Sequence, residues 1–251
     1  MSRWSFAAYG RKNVRFSEDH PMPLASAAPQ DIASASVDEG LLFRGIHTVV
    51  FDVVGTLIEP VPSVARAYVD AGRRCGVELA EPEAARRFTV AWERQEAHDA
   101  AAQPAFATSR QRERSRWRHI VEEVFEQAAA ADDIFALLWE HFSRPESWQP
   151  IPVGCQLLDA ARGAGCEVAV ASNFDERLLP LARVLPPLVG IEQVFASSEL
   201  GWRKPAAAFF RAVEARLGRQ PYELLLVGDD PRLDLAAAQA AGWRAVEVGA
   251  D

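Results

Sequence analysis

Asp52 closes an apolar run, Thr48-Val49-Val50-Phe51, and opens at once into Val53-Val54-Gly55-Thr56-Leu57. A carboxylate at the end of a buried strand, entering a tight Gly-Thr turn, suits a nucleophile or a metal ligand at the rim of a sheet. Three further polar groups follow in order: Ser172-Asn173, Lys204-Pro205, and Gly228-Asp229-Asp230-x-x-x-Asp234. Each alone is weak, because a Ser-Asn at a strand end is commonly just a turn or cap. Together they amount to a carboxylate nucleophile, hydroxyl and amide donors, one lysine and a second carboxylate. Such a set makes a pocket for a metal and a phosphate. Two residues beyond Asp52 stands Val54, an apolar side chain among these polar groups.

These groups must be held by strands. Apolar runs Glu167–Ala171 and Leu224–Val227 end at Ser172 and Gly228, and a fourth short run is Ala245–Val248. Continuous apolar runs of this length fit strands covered on both faces, as in a parallel sheet. Helical stretches Val153–Gly165, Ala206–Leu217 and Leu233–Ala241 separate them, each stopped by glycine. The alternation predicts an α/β fold, a doubly wound, Rossmann-like parallel sheet with right-handed crossovers. Ligands in such sheets sit beyond the carboxyl ends of the strands, where all the polar groups fall.

Between the first and second strands lies an Ala-, Arg-, Glu- and Trp-rich insertion. Helical periodicity is visible in Ser63–Cys75, Pro82–Ala101, Thr108–Gln127 and Asp132–Phe142, with Asp132 as the expected N-cap of the last. Trp117, Ile120, Val121, Val124 and Phe125 make one apolar stripe. The insertion is too long for a loop and reads as a small helical domain whose tryptophans form its core. The expected organisation is an N-terminal extension over 1–44, an α/β core over 45–61 and 150–251, and the helical unit over 62–149.

The 251 residues are enough for one or two domains, with 49% hydrophobic and 25% charged residues, as in an ordinary globular protein. A net charge of −8 argues against nucleic acid, whose phosphates demand clustered basic residues. No apolar stretch approaches the roughly 20 residues that span a bilayer. Cys75, Cys155 and Cys166 show no ligand spacing and read as reduced thiols of a cytoplasmic protein. Met1–Phe16 is basic and an Ala/Ser/Pro-rich run follows, without a signal-peptide core or an amphipathic period. That composition predicts a flexible extension rather than a transit peptide. Nothing in the sequence sets an oligomeric state.

The ordered set resembles the haloacid dehalogenase-like hydrolase superfamily, in the subgroup with a helical cap inserted after the first motif. The resemblance runs from about Ile46 to Gly249. Ser172-Asn173-Phe174-Asp175, Ser198-Glu199-x-Gly201-Trp202-x-Lys204-Pro205 and Val227-Gly228-Asp229 look most like the branch called haloacid dehalogenase-like hydrolase domain-containing protein 3, or DREG-2-like. The resemblance implies Asp52 as nucleophile, with Lys204 as its catalytic partner. It implies Mg²⁺ held by Asp52, the Val54 backbone carbonyl and Asp229. Thr56, Ser172, Asn173 and Lys204 would bind phosphate, and Asp230 and Asp234 would orient Lys204 or metal-bound waters. The implied activity is Mg²⁺-dependent hydrolysis of a small phosphorylated metabolite through an aspartyl-phosphate, with the cap choosing the substrate.

Val54 is the departure. Phosphatases of the superfamily carry an Asp there that protonates the leaving group. Its loss should cost the usual general acid–base factor, about 10² to 10⁴. The penalty is smallest for acyl phosphates or nitrophenolate, which need no proton. Glu59 or a cap acid is a candidate replacement. The resemblance also raises a 2-haloacid dehalogenase, but that group carries Tyr at the Val54 position and Ser at the Asp229 position. The family's phosphonatases use a cap lysine, and 62–149 holds no lysine. A second reading is a phosphate- or partner-binding pseudoenzyme, and the apolar Ala206-Ala207-Ala208 after Lys204-Pro205 favours it slightly. Cap arginines such as Arg66, Arg94 and Arg110 could meet an anionic substrate tail, but a solvated face is the favoured reading.

Overall fold

The computed structural model describes residues 12–16, 42–126 and 128–250. Among these residues the main sheet has six strands: β1 (Lys12–Phe16), β2 (Thr48–Phe51), β5 (Glu167–Ser172), β6 (Gln193–Ala196), β7 (Leu224–Gly228) and β8 (Arg244–Ala250). Their spatial order is β1-β8-β7-β2-β5-β6, with β1 antiparallel and the others parallel. The short strands β3 (Ile58–Pro60) and β4 (Trp148–Pro150) pair into a separate ribbon.

The unbroken apolar runs have a simple cause. Side chains alternate across a strand, and both faces of this sheet are covered. Val49 and Phe51 join Val170, Leu225 and Val227 in one core cluster, with Leu158 and Ala161 of the helix Pro152–Gly163. Val50 joins Ala169, Leu224 and Leu226 in the other, against Phe209, Phe210 and Val213 of the helix Ala207–Leu217. All four residues of β2 and all five of β7 are buried. The doubly wound architecture is therefore as the alternation predicts.

The insertion holds four longer helices, α1 (Val64–Arg74), α2 (Glu81–Ala101), α3 (Arg110–Val124) and α4 (Ala131–His141). They enclose a separate apolar cluster that includes Tyr68, Phe88, Trp92, Ile120, Val121, Val124 and Ile134. Ser63 and Ser109 cap α1 and α3 by accepting the N–H groups of Arg66 and Arg112. Asp132 is not the N-cap of α4. Ala130 holds that place, and Asp132 lies in the first turn, where its charge suits the helix dipole and it pairs with Arg118.

Several elements carried too weak a pattern to be expected from sequence: β1, β6, the β3–β4 ribbon and the short helices Leu178–Ala182 and Ser197–Leu200. Leu42 and Phe43 belong to the core cluster. The rest of the extension expected over 1–44 lies outside the described residues, apart from β1 and Arg44. Among the described residues, no helix is long and apolar enough to cross a membrane.

Candidate active site

β2 lies in the middle of the sheet, with β5 on one side and β7 on the other. The chain therefore leaves β2 in one direction and later returns on its other flank, a topological switch point. This arrangement carries Asp52, Ser172 and Asp229 to one rim. Asp52 continues the ladder by donating its N–H to Val227 O at 2.8 Å. The turn after it closes tightly, with Leu57 N donating to Val53 O at 2.9 Å and Gly55 N to Ile58 O at 2.8 Å.

Lys204 is the centre of the polar cluster. Its ammonium is buried and donates to Asp52 Oδ1 at 2.6 Å and to Asp234 Oδ1 at 2.5 Å. Burial alone would push the lysine pKa down, but Asp234 and Asp52 outweigh it and hold it above the ordinary value. Burial, with the Asp52 charge adding to it, lifts the Asp234 carboxyl to about 6 despite the opposing pull of Lys204. Asp234 sits in a six-residue π-helix, Pro231–Ala236, capped by Asp230, whose Oδ1 accepts from Arg232 N and Leu233 N, each at 2.8 Å. Isolated π turns of this kind are common at functional sites.

Carboxylate oxygens of Asp52, Asp229 and Asp234 lie within 4.8 Å of one another. Three acids against one ammonium leave excess negative charge, and an all-oxygen donor set matches a hard divalent cation. Glycine makes room for the cluster. A Cβ at Gly55, which has φ +91°, would stand 2.3 Å from Asp229 Oδ2. A Cβ at Gly228 would stand 2.5 Å from Asp234 Cγ.

A family model for haloacid dehalogenase-like hydrolases matches residues 46–242. The chain belongs to this hydrolase family. A relative in mouse, haloacid dehalogenase-like hydrolase domain-containing protein 3, is 29% identical over 204 residues, covering 79% of this chain and 80% of the mouse protein. A phosphoserine phosphatase of Thermus thermophilus is 29% identical over 214 residues, covering 78% of this chain and 86% of its own. Among solved structures, a defluorinating L-2-haloacid dehalogenase superposes with a TM-score of 0.61 at 21% identity, covering 80% of each chain, which shows the shared fold.

Within this family member the expected residues take differing places. Thr56, expected at a phosphate, is fully buried and donates its hydroxyl to Asp229 Oδ1 at 3.1 Å. It therefore props a carboxylate. Asn173 spends both ends of its amide on the Lys204 backbone, accepting from Lys204 N at 2.8 Å and donating to Lys204 O at 2.9 Å. Ser172 ends β5 and is buried. Asp230 caps the π turn, while Asp234, expected to orient Lys204, bonds to it directly. Val54 is half-buried and packs on the sheet's core cluster. Glu59 lies in β3 and accepts from Gln149 Nε2 at 2.7 Å. Arg66, Arg94 and Arg110 are exposed and pair with Asp70, Glu123 and Glu199.

Sequence reading missed a second ionic cluster where the insertion meets the sheet. Arg203 Nη1 donates to Glu113 Oε1 at 2.8 Å and Oε2 at 2.9 Å, and Arg203 Nη2 to Glu96 Oε1 at 3.1 Å. Arg116 Nη2 reaches Glu96 at 2.7 Å and its Nη1 bonds Asp99, which Arg112 also holds. Arg203 is 1% exposed and Arg116 0%, so this is an interior network. Burial and the neighbouring Arg203 charge push Arg116 down to about 10. Its trace in the sequence was slight: the pairs Glu96/Asp99 and Glu113/Arg116 are three apart and so share helix faces.

A further link lies on the β5 side. Arg177 forms a two-pronged pair with Asp175, at 2.7 and 2.6 Å, and its guanidinium lies 3.6 Å from the Trp139 ring centre of α4.

Proposed function

We propose that this protein is a phosphohydrolase that moves a phosphoryl group from a small phosphorylated molecule to Asp52 and then to water. The observation that carries the reading is one lysine bonded to two carboxylates: Lys204 holds Asp52 and Asp234 at 2.6 and 2.5 Å, beside Asp229. The Thermus relative named a phosphoserine phosphatase supports the same reaction class.

Asp52 attacks phosphorus with a carboxylate oxygen. The bond to the leaving oxygen breaks, and an aspartyl-phosphate remains on the β2 rim. Asp52, Asp229 and the Val54 carbonyl would hold Mg²⁺, with Asp234 close by. When bound, the ion offsets the negative charge that the phosphate brings to three acids. Lys204 stays protonated, orients the nucleophile and counters charge on the transferring group. Ser172, buried at the end of β5, would supply a hydroxyl to the phosphate. Asn173 acts by fixing the Lys204 backbone, and Thr56 by fixing Asp229. The insertion over 62–149 serves as the cap that covers the rim and selects the substrate.

Val54 offers no proton to the leaving group. Glu96, Asp99 and Glu113, the buried acids of α2 and α3, are engaged by arginines, and Glu59 is tied to Gln149. The reading therefore favours substrates whose leaving group departs unprotonated, acyl and aryl phosphates. Nitrophenyl phosphate and acetyl phosphate with Mg²⁺ test it directly. Turnover should be measurable for the wild type and absent for Asp52→Asn; equal rates would sink the enzyme reading.

Val54 also favours a second reading, a protein that binds a phosphate ligand without turnover. Calorimetry would then show Mg²⁺-linked phosphate binding with no hydrolysis.

A further inference from the structure

The loop carrying Lys204 is gripped from two sides. Thr108 N donates to Gly201 O at 2.9 Å and Arg203 N to Phe106 O at 3.0 Å, around a bridge between Ala107 and Trp202. The Arg203 guanidinium then enters the insertion, where Glu113, Glu96 and Asp99 surround it. One residue on, the grip changes hands. Lys204 N and O are both held by Asn173, at the end of β5. Glu96 also reaches Arg232 at 3.5 Å, in the turn that carries Asp234.

Successive Cα atoms are about 3.8 Å apart, so Arg203 cannot follow the insertion outward and leave Lys204 unmoved. The Lys204 ammonium meets Asp52 and Asp234 at 2.6 and 2.5 Å and tolerates little displacement. A buried guanidinium that loses its carboxylates is costly, so Arg203 stays with the insertion.

We propose that Arg203 is a positioning residue: the insertion, by holding Arg203 among Glu96, Asp99 and Glu113, sets Lys204 against Asp52 and Asp234. The lysine end of the site is complete only while the insertion is docked. This deepens the phosphohydrolase reading and rests on it for its consequence, but its test does not depend on turnover.

Amide hydrogen exchange on the full chain reads it. The N–H groups of Thr108 and Arg203 cross the boundary, the Lys204 N–H does not, and that of Val50 in β2 is the control. In the wild type, Thr108, Arg203 and Lys204 should exchange at a common rate, as members of one opening unit. Glu113→Gln keeps the shape and removes the charge. It should speed all three at least tenfold and leave Val50 unchanged. A Lys204 amide that keeps its protection while Thr108 and Arg203 accelerate would overturn the proposal, as would no acceleration at all. If the variant does not fold, the wild type decides: a Lys204 amide exchanging independently of Arg203 also overturns it. Affinity for inorganic phosphate with Mg²⁺ should fall about tenfold in Glu113→Gln. A wild type that binds no phosphate would count against the proposed function, and the exchange rates would still decide this inference.

Discussion

Lys204 and Asp234, both buried, are joined at 2.5 Å, and the same ammonium reaches Asp52 at 2.6 Å. The lysine thus neutralises part of a carboxylate cluster that would otherwise repel itself. Two loops far apart in sequence are locked together by that contact.

Removing the ammonium should therefore destabilise the fold as well as the site. Lys204→Met leaves two buried carboxylates without their cation, a loss of about 3–5 kcal/mol. Urea denaturation should show the midpoint falling, and Mg²⁺ should recover part of the loss by binding the native state. An unchanged midpoint would mean that the ion pair contributes little.

The pH dependence has a defined sign. Asp234 titrates near 6 in the folded, metal-free protein, above its ordinary value. Between about pH 4 and 6 the native state therefore holds a proton that the unfolded chain has released, and stability from this group is lost as pH rises through that window. It is fully present below pH 4. With EDTA, the difference in stability between wild type and Asp234→Asn should change by order 1–3 kcal/mol across the window, because the amide mimics the protonated acid and cannot titrate. A pH-independent difference would contradict this assignment.

Gly55 tests the carboxylate cluster from its backbone. Gly55→Ala places a methyl group against Asp229 and puts a side chain where φ is +91°. Strain of about 1–3 kcal/mol is expected, together with a displaced Asp229. The upward shift of the melting temperature produced by Mg²⁺ in the wild type should shrink or vanish in this variant.

Val54→Asp restores a carboxylate at the place where proton transfer would help. Turnover of alkyl phosphates should rise at least tenfold, about 1.4 kcal/mol of barrier, while acyl phosphates change little. Steady-state rates on both substrate types make the comparison. Equal gains for both would show that the new acid acts on something other than the leaving group.

The amino-acid sequence by itself determined the parallel sheet and the rim. The runs ending at Asp52, Ser172 and Gly228 do not alternate between polar and apolar residues, because both sheet faces are covered, and a polar residue at the end of such a run must lie at an edge. Local pattern also sufficed for the helices of the insertion, whose apolar stripes repeat every three to four residues. Roles that depend on the direction of a side chain were decided only in three dimensions. Thr56 turns to Asp229 and Asn173 to the Lys204 backbone, choices set by which neighbours arrive across the rim. The Arg203 network is the strongest case. Its partners lie 90 and 107 residues away in sequence, and charge on a helix face looks alike whether water or a guanidinium covers it. Periodicity reports burial and local geometry; only tertiary packing says which charges meet.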